Sequence, residues 1–171
     1  MEYEIKYSAR KTVTLKVRDG RLYILAPIGT KSEYIEKLIE KHKHWILGKL
    51  DAQVKIGAVM AELSEEQIRE LRREARKYFT ERTAYYASVM GLNYGKIRIS
   101  SAKGRFGSCN SSGNISYTYR LMLYPEAARE YVVVHELAHI RQMNHSKDFY
   151  AIVEAVMPDY KERRKLLKKI D

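Results

Sequence analysis

The chain has 171 residues, of which 45% are hydrophobic and 31% are charged. This composition fits one ordinary globular core or two small lobes and excludes a wholly disordered protein. No apolar run approaches the roughly 20 residues of a membrane-spanning helix, and the opening MEYEIKYSAR lacks the apolar part of a secretion signal, so we expect a soluble cytoplasmic protein.

Basic side chains outnumber acidic ones, with 32 Lys and Arg against 21 Asp and Glu and a formal net charge of +11. Counterion release favours polyanions as partners of such a chain, and a general solubility role is the alternative. Together with the 14 tyrosines, the bases make single-stranded nucleic acid a candidate partner. The basic cluster of the last helix consists of Lys161, Arg163, Arg164, Lys165, Lys168 and Lys169.

The first part of the chain predicts a small sheet. Residues 3–7 and 12–17 alternate apolar and polar side chains, and an Asp19-Gly20 turn precedes the segment LYILAP, residues 22–27. We predict that they form an antiparallel sheet.

A helix follows the sheet. Ser32 is the predicted cap, and apolar side chains recur at near-helical spacing up to Ile46. The pattern weakens afterwards, and we expect Gly57 to break it. The chain therefore divides into an N-terminal lobe of residues 1–60 and a second domain of residues 61–171, which can pack as one compact unit.

A long helix and a compact β segment open the second domain. Ser64, followed by Glu66 and Gln67, predicts the start of a helix that Gly91 closes after Met90. Further on, KIRIS and NISYTY predict strands on either side of a loop rich in Gly and Ser.

Three helices complete the predicted order. The first begins at Pro125 and runs through the motif HELAH to about Gln142. The second runs from about Ser146 to Met157, and a basic helix follows Pro158.

The motif HELAHIRQMNH carries the chemistry. On a helix, His135 and His139 lie one turn apart on the same face, so both imidazoles can reach one zinc ion at about 2.0 to 2.1 Å. Glu136 lies about 100° further around the helix, where it can accept a proton from a metal-bound water. A catalytic zinc takes a third protein ligand, and we expect His145 in that role, with Glu154 as the competing ligand. The alternative is a chance HExxH match on a helix with satisfied core histidines.

Several segments resemble one known family. HELAHIRQMNHSKDF, RFGSCNSSGNIS and MPDYKERRKLL are similar to the YgjP-like metallopeptidases, relatives of the SprT-like zinc proteases, and SARKTVTLKVRDGRLYILAP resembles their leading segment. The resemblance implies an α+β fold with a zincin-like core, Zn²⁺ held by His135, His139 and His145, and Glu136 as the general base. One departure is Phe106, since the family usually has Trp there.

Substrate contacts are expected from the loop before the second predicted strand. Arg105 is a candidate for holding a substrate carbonyl or phosphate, and Phe106 and Ser108 accompany it. Tyr119 ends the strand, which could pair at a sheet edge with an extended peptide. The alternatives are an ordinary hairpin connection and an ordinary core strand. Cys109, the single cysteine, is either a further ligand or a small buried thiol.

Three functions follow from these observations. The first is a zinc-dependent metallopeptidase that hydrolyses peptide bonds through a metal-bound water activated by Glu136. The second is a nucleoside triphosphate pyrophosphatase, since some relatives carry that label, although no P-loop supports it. The third is a nucleic-acid-associated protease of SprT type, or a binding module with structural zinc.

Overall fold

The computed structural model describes residues 2–18 and 20–167 of the chain. Residue contacts divide the chain into two compact units, Met1–Ala61 and Glu62–Asp171. Both units contain helices and a small sheet, so the predicted α+β fold class is confirmed. Among the described helices, none is long and apolar enough to cross a membrane. Three residues of the predicted turn and basic cluster lie outside the described residues: Asp19, Lys168 and Lys169.

The sheet of the first unit has strand order β1-β3-β2, from β1 (Tyr3–Ser8), β2 (Thr14–Arg18) and β3 (Arg21–Pro27). β2 pairs antiparallel with β3, but β1 pairs parallel with β3, with Tyr3 opposite Leu22. The prediction of an all-antiparallel sheet is therefore wrong. Alternation with a period of two residues identifies a strand but is the same for both pairing directions, so it could not predict the direction of β1.

Burial explains why β3 is the central strand. Its side chains alternate between buried and half-buried positions, whereas β1 is exposed along nearly its whole length. The side chains of β3 that face the helices form the core of this unit with two helical isoleucines. This core consists of Leu22, Ile24, Ala26, Ile35 and Ile46.

Two helices follow, α1 (Ser32–Lys41) and α2 (Lys43–Glu62). The predicted cap is displaced by one residue, because the N-cap position belongs to Lys31 and no side chain caps it. α2 also continues through Gly57, so the predicted break is wrong. A glycine lowers helix propensity by about 1 kcal/mol relative to alanine, which an otherwise helical segment can absorb.

The second unit begins with α3 (Glu65–Met90), whose predicted ends are confirmed. The Ser64 hydroxyl accepts a hydrogen bond from the Gln67 amide at 3.2 Å, and the Gln67 side chain accepts one from the Ser64 amide at 2.8 Å. At the other end, Gly91 has a φ of 61°, a left-handed conformation that glycine adopts without steric cost.

The sheet of the second unit has strand order β4-β6-β5, from β4 (Ile97–Ser100), β5 (Gly107–Cys109) and β6 (Ile115–Thr118). The two predicted strands are confirmed, and β5 is an additional strand. β6 lies at the centre of the sheet, so of the two alternatives for this strand the free edge is wrong and the core strand is confirmed. The burial of Ile115 and Tyr117 explains this position, because a strand with buried side chains is typical of the interior of a sheet.

A short 3-10 helix, Tyr119–Leu123, leads to α4 (Glu126–Ala138), α5 (Lys147–Val156) and α6 (Tyr160–Leu166). α4 was predicted to continue to about Gln142 and ends earlier. The amides of Ile140 and Arg141 bond to carbonyls three residues back, at 3.0 and 3.1 Å, and this tighter winding ends the helix.

Candidate metal centre

α4 supplies two of the three histidines and is the most buried helix of the second unit. It contacts α3 on one side, α5 and α6 on others, and strand β5. The apolar run that precedes the motif is therefore buried nearly all round, as its sequence indicates. Its buried side chains before the motif include Tyr131, Val132, Val133 and Val134.

The three histidines of the motif converge. Each of His135, His139 and His145 offers a ring nitrogen, and these atoms lie within 4.8 Å of one another. The Nε2 atoms of His135 and His145 are 3.1 Å apart. The first two rings come from α4 and its C-cap, and the third comes from the turn before α5.

Hydrogen bonds orient two of these rings. His139 Nδ1 lies 3.1 Å from the Gln142 carbonyl oxygen, which can only accept, so Nδ1 carries the proton and Nε2 keeps its lone pair. His135 Nδ1 lies 3.3 Å from the Tyr131 hydroxyl, which leaves His135 Nε2 facing His145. Such bonds to the far nitrogen are how proteins fix the orientation of metal-binding imidazoles.

Phe149 of α5 packs against all three imidazoles and is fully buried. The distances from its ring centroid to the centroids of His135, His139 and His145 are 4.9, 4.6 and 4.9 Å. One apolar ring therefore restricts the positions of all three histidine side chains.

The surroundings of His135, on α4, and of His139, at the C-cap of α4, disfavour the charged form of each ring. Burial is the main cause that lowers the pKa of His135 to about 3, and the charges of His139, His145 and Arg164 contribute to the same shift. Burial also lowers the pKa of His139, against a partial offset from its bond to the Gln142 carbonyl. These two rings are therefore neutral at pH 7, and the neutral form is the one that binds a metal.

Glu136 follows His135 on α4 and is buried, with a relative exposure of 5%. Burial raises its pKa to about 7, and the positive charge of Arg105 opposes that rise. A carboxyl with this pKa exchanges protons near neutral pH, which is the property required of a general base or acid.

The donor set fits a divalent metal of the zinc type. In a tetrahedral site with Zn–N bonds of about 2.0 to 2.1 Å, two ligand nitrogens lie roughly 3.3 Å apart. The distance of 3.1 Å between the Nε2 atoms of His135 and His145 is close to that value. Imidazole ligands suit zinc, copper, iron and nickel, whereas magnesium and calcium prefer oxygen.

Comparison with known proteins assigns the family. The model of the YgjP-like metallopeptidase domain matches residues 51–170 of this chain. The chain belongs to the YgjP-like metallopeptidase family. Membership confirms the resemblance predicted from the sequence and makes the protein a member of a metal-dependent peptidase family, whose substrates are proteins or peptides.

One solved structure is also similar to this YgjP-like metallopeptidase. It is the metallopeptidase zymogen of Pyrococcus abyssi abylysin, with 25% sequence identity, a TM-score of 0.47, and coverage of 51% of this chain and 89% of that chain. No curated protein matches the chain.

The remaining candidate ligands of this YgjP-like metallopeptidase lie apart from the histidine cluster. Glu154 is exposed on α5 and lies 3.9 Å from Lys161 Nζ in an ion pair. Cys109 is half-buried at the end of β5, and burial raises the pKa of its thiol, as does the nearby charge of Glu136. A raised pKa keeps this sulfur in the protonated form, which is a poor metal ligand.

The four residues predicted to bind substrate fall into two groups. Arg105 is exposed and close enough to Glu136 to affect its pKa, and Ser108 lies in β5 opposite Ser116. Phe106 and Tyr119 instead belong to the packing of the unit. Phe106 packs edge-on against Tyr124 at 5.2 Å, and Tyr119 is 3% exposed.

Two residues of the site did not emerge from the sequence. Tyr131 precedes His135 by four residues, and that spacing places both on one face of a helix, so a signal was present. Phe149 reaches the histidines through the packing of α5 against α4, and no local pattern in the sequence encodes that contact.

Proposed function

We propose that this protein is a zinc-dependent metallopeptidase in which His135, His139 and His145 hold the ion and Glu136 acts as the general base. The observation that supports the proposal most is the convergence of three ring nitrogens within 4.8 Å, together with a buried carboxylate on α4 that directly follows His135 in sequence. Neither the histidine cluster nor the buried carboxylate alone would indicate hydrolysis, since neutral histidines and buried acids also occur separately in protein cores.

The division of labour follows from the environment of each group. When bound, the ion supplies Lewis-acid chemistry, because it acidifies a coordinated water toward a pKa of about 7 and polarises the scissile carbonyl. Glu136 accepts a proton from the attacking water and delivers it to the leaving amine. Its pKa of about 7 suits both transfers at neutral pH.

Arg105 has a positioning role in this proposal. Its guanidinium lies near the Glu136 carboxyl and is exposed, so a substrate carbonyl that enters from solvent can accept hydrogen bonds from it. The same positive charge favours the ionised form of Glu136, which is the form that accepts a proton.

Replacing Glu136 by Gln tests the proposal. The amide cannot accept the proton, so cleavage of an unfolded protein substrate should fall by about 10² to 10⁴. The three histidines are unchanged, so zinc content measured by elemental analysis should remain at the wild-type level.

Glu154→Gln is the matched control, because it makes the same change on an exposed side chain of α5. It should retain both cleavage and zinc. Incubation of both proteins with nucleoside triphosphates completes the experiment. Release of pyrophosphate by the wild type, lost in Glu136→Gln, without any peptide cleavage would replace the peptidase proposal by the pyrophosphatase alternative.

A further inference from the structure

Strand β5 runs beside the helix that carries the predicted general base. Gly107, its first residue, is opposite Tyr117 of the central strand β6. The amide of Thr118 also bonds to the carbonyl of Phe106 at 2.9 Å, which fixes the chain just before β5. β5 and α4 are in direct contact, and this contact brings Gly107 to Glu136.

The Glu136 side chain occupies the space that a side chain at Gly107 would need. An ideal Cβ built on Gly107 would lie 2.5 Å from Glu136 Oε1, 2.7 Å from its Cγ and 2.8 Å from its Cδ. These separations are well inside van der Waals contact, for which carbon atoms lie about 3.5 to 4.0 Å apart. Any residue other than glycine would therefore overlap with the carboxylate.

Space, and not backbone conformation, accounts for glycine at this position. The glycines with a positive φ are Gly20, Gly29, Gly91 and Gly113, and Gly107 lies in a strand outside that group. Gly104, three residues earlier, provides a contrast, because a Cβ there would meet nothing within 4 Å.

Neither the backbone of β5 nor that of α4 can move easily to relieve the overlap. β5 is held by its antiparallel pairing with β6, whose Tyr117 is fully buried and stacks on Phe79 at 4.5 Å between centroids. α4 is enclosed by three helices and β5. The overlap would therefore be relieved mainly by rotation of the Glu136 side chain away from its present position.

We propose that Gly107 is a positioning residue, whose missing side chain leaves room for the Glu136 carboxylate to lie against the backbone of β5. The inference rests on the proposed role of Glu136 as general base. It adds a second element to the catalytic geometry, because the strand, and not only the helix, then determines where the proton is accepted.

Gly107→Ala tests the effect on catalysis. Misplacement of a reacting group by about 1 Å can reduce turnover by 10²-fold, so we expect kcat to fall on that order. The zinc content and KM should stay near their wild-type values, since neither the histidines nor the exposed substrate-binding surface is altered. Gly104→Ala is the matched control and should behave as the wild type, and equal turnover of Gly107→Ala and wild type would overturn the inference.

A second measurement tests the contact without catalysis. In the metal-free protein, Gly107→Ala should lower Tm because it overfills a packed site. Combined with Glu136→Ala, which removes the overlapping carboxylate, the same substitution should cost clearly less, so the two effects are non-additive. Additive Tm shifts in this double-mutant cycle would overturn the inference.

The outcomes separate this inference from the proposed function. If the wild type cleaves no peptide, the proposed function fails, but the Tm cycle still decides whether Glu136 requires glycine at position 107. If Gly107→Ala folds only together with Glu136→Ala, the steric relation is supported. If it fails to fold in both backgrounds, the strand itself requires glycine and the inference is wrong.

Discussion

The side chains of His135 and Glu136 are neighbours in sequence, and burial moves their pKa values in opposite directions. Burial disfavours the charged form of each group, so it lowers the pKa of His135 to about 3 and raises the pKa of Glu136 to about 7. The metal-free site therefore contains the neutral imidazoles of His135 and His139 and a carboxyl that is half protonated near pH 7. These two rings need lose no proton before they bind a cation.

The raised pKa of Glu136 predicts how stability depends on pH. In the unfolded chain the carboxyl ionises near pH 4.5, whereas the folded protein holds the proton up to about pH 7. The unfolded state therefore binds fewer protons between these values, and the contribution of Glu136 to stability is complete below pH 4.5 and is lost as the pH rises to 7. In the metal-free protein, Glu136→Gln should thus gain stability relative to the wild type across this interval, by about 3 kcal/mol at most.

Urea unfolding of chelator-treated proteins at pH 5 and pH 8 measures this difference. Glu154→Gln is the control, because its side chain is exposed, and it should follow the wild-type curve. A constant difference between Glu136→Gln and wild type at the two pH values would contradict the raised pKa.

Phe149 allows a prediction about metal affinity. Because its ring contacts all three imidazoles, Phe149→Leu should leave them free to move and weaken zinc binding by about 10-fold, as measured by competition with a chelator. Phe79→Leu is a matched control in the same unit, since Phe79 is also fully buried but stacks on Tyr117. Both variants should lose stability. Equal zinc affinities in the two would show that Phe149 only fills the core.

At the level of helices and strands, sequence reasoning succeeded where the signal is local. The ends of α3 were predicted because Ser64, Gln67 and Gly91 act within one turn of the chain. The histidine pair was placed on one helix face by spacing alone, and the three ring nitrogens do lie together. Signals that depend on distant parts of the chain were missed.

The sheets illustrate what was missed. The parallel pairing of β1 with β3 and the central position of β6 both depend on where distant segments of the chain lie, which no single segment encodes. The contact of Gly107 with Glu136 likewise depends on a neighbour far away in sequence. An alternating or helical pattern predicts a strand or a helix, but it does not specify which other segments that strand or helix packs against.

The start of α3 supports a prediction about stability. Ser64→Ala removes the hydroxyl that accepts the Gln67 amide, so the free energy of unfolding should fall by about 1 kcal/mol. Ser32→Ala is the control, since Ser32 is the first residue of α1 and no side chain caps that helix. It should change stability little. Urea unfolding compares the two variants, and a larger effect at Ser32 would contradict the capping assignment.

Across the second unit, many basic side chains are used in internal contacts. Arg72 and Arg120 lie over the ring of Tyr119, at 4.7 and 5.6 Å from its centroid, and Arg129 lies over the ring of Tyr78 at 4.4 Å. In the predicted basic cluster, Lys165 pairs with Glu162 and Lys161 with Glu154. Part of the positive charge therefore has structural partners, and binding to nucleic acid gains no support from these contacts.

Glu130 connects three helices of this unit and permits a final prediction. Its carboxylate, on α4, lies 2.8 Å from Arg163 Nη1 on α6 and 3.6 Å from Arg82 Nε on α3. The Glu130 side chain is only 15% exposed, so Glu130→Ala would leave partly buried guanidinium groups without this partner. Each guanidinium keeps a second carboxylate, Glu126 for Arg82 and Asp159 for Arg163. We therefore expect a loss of about 1 to 2 kcal/mol in the free energy of unfolding, the contribution of hydrogen bonds to a charged group.

The matched control for Glu130→Ala is Glu65→Ala. Glu65 pairs with Arg69 at 3.8 Å, but both side chains are largely exposed, and such surface pairs contribute little. Thermal unfolding at low and high salt distinguishes the two sites, since salt screens exposed charges much more than buried ones. If Glu130→Ala costs no more than Glu65→Ala, the helices around the metal centre are held together by apolar packing alone. If its cost is larger and persists at high salt, the ion-pair network holds α4, and with it the histidines, between α3 and α6.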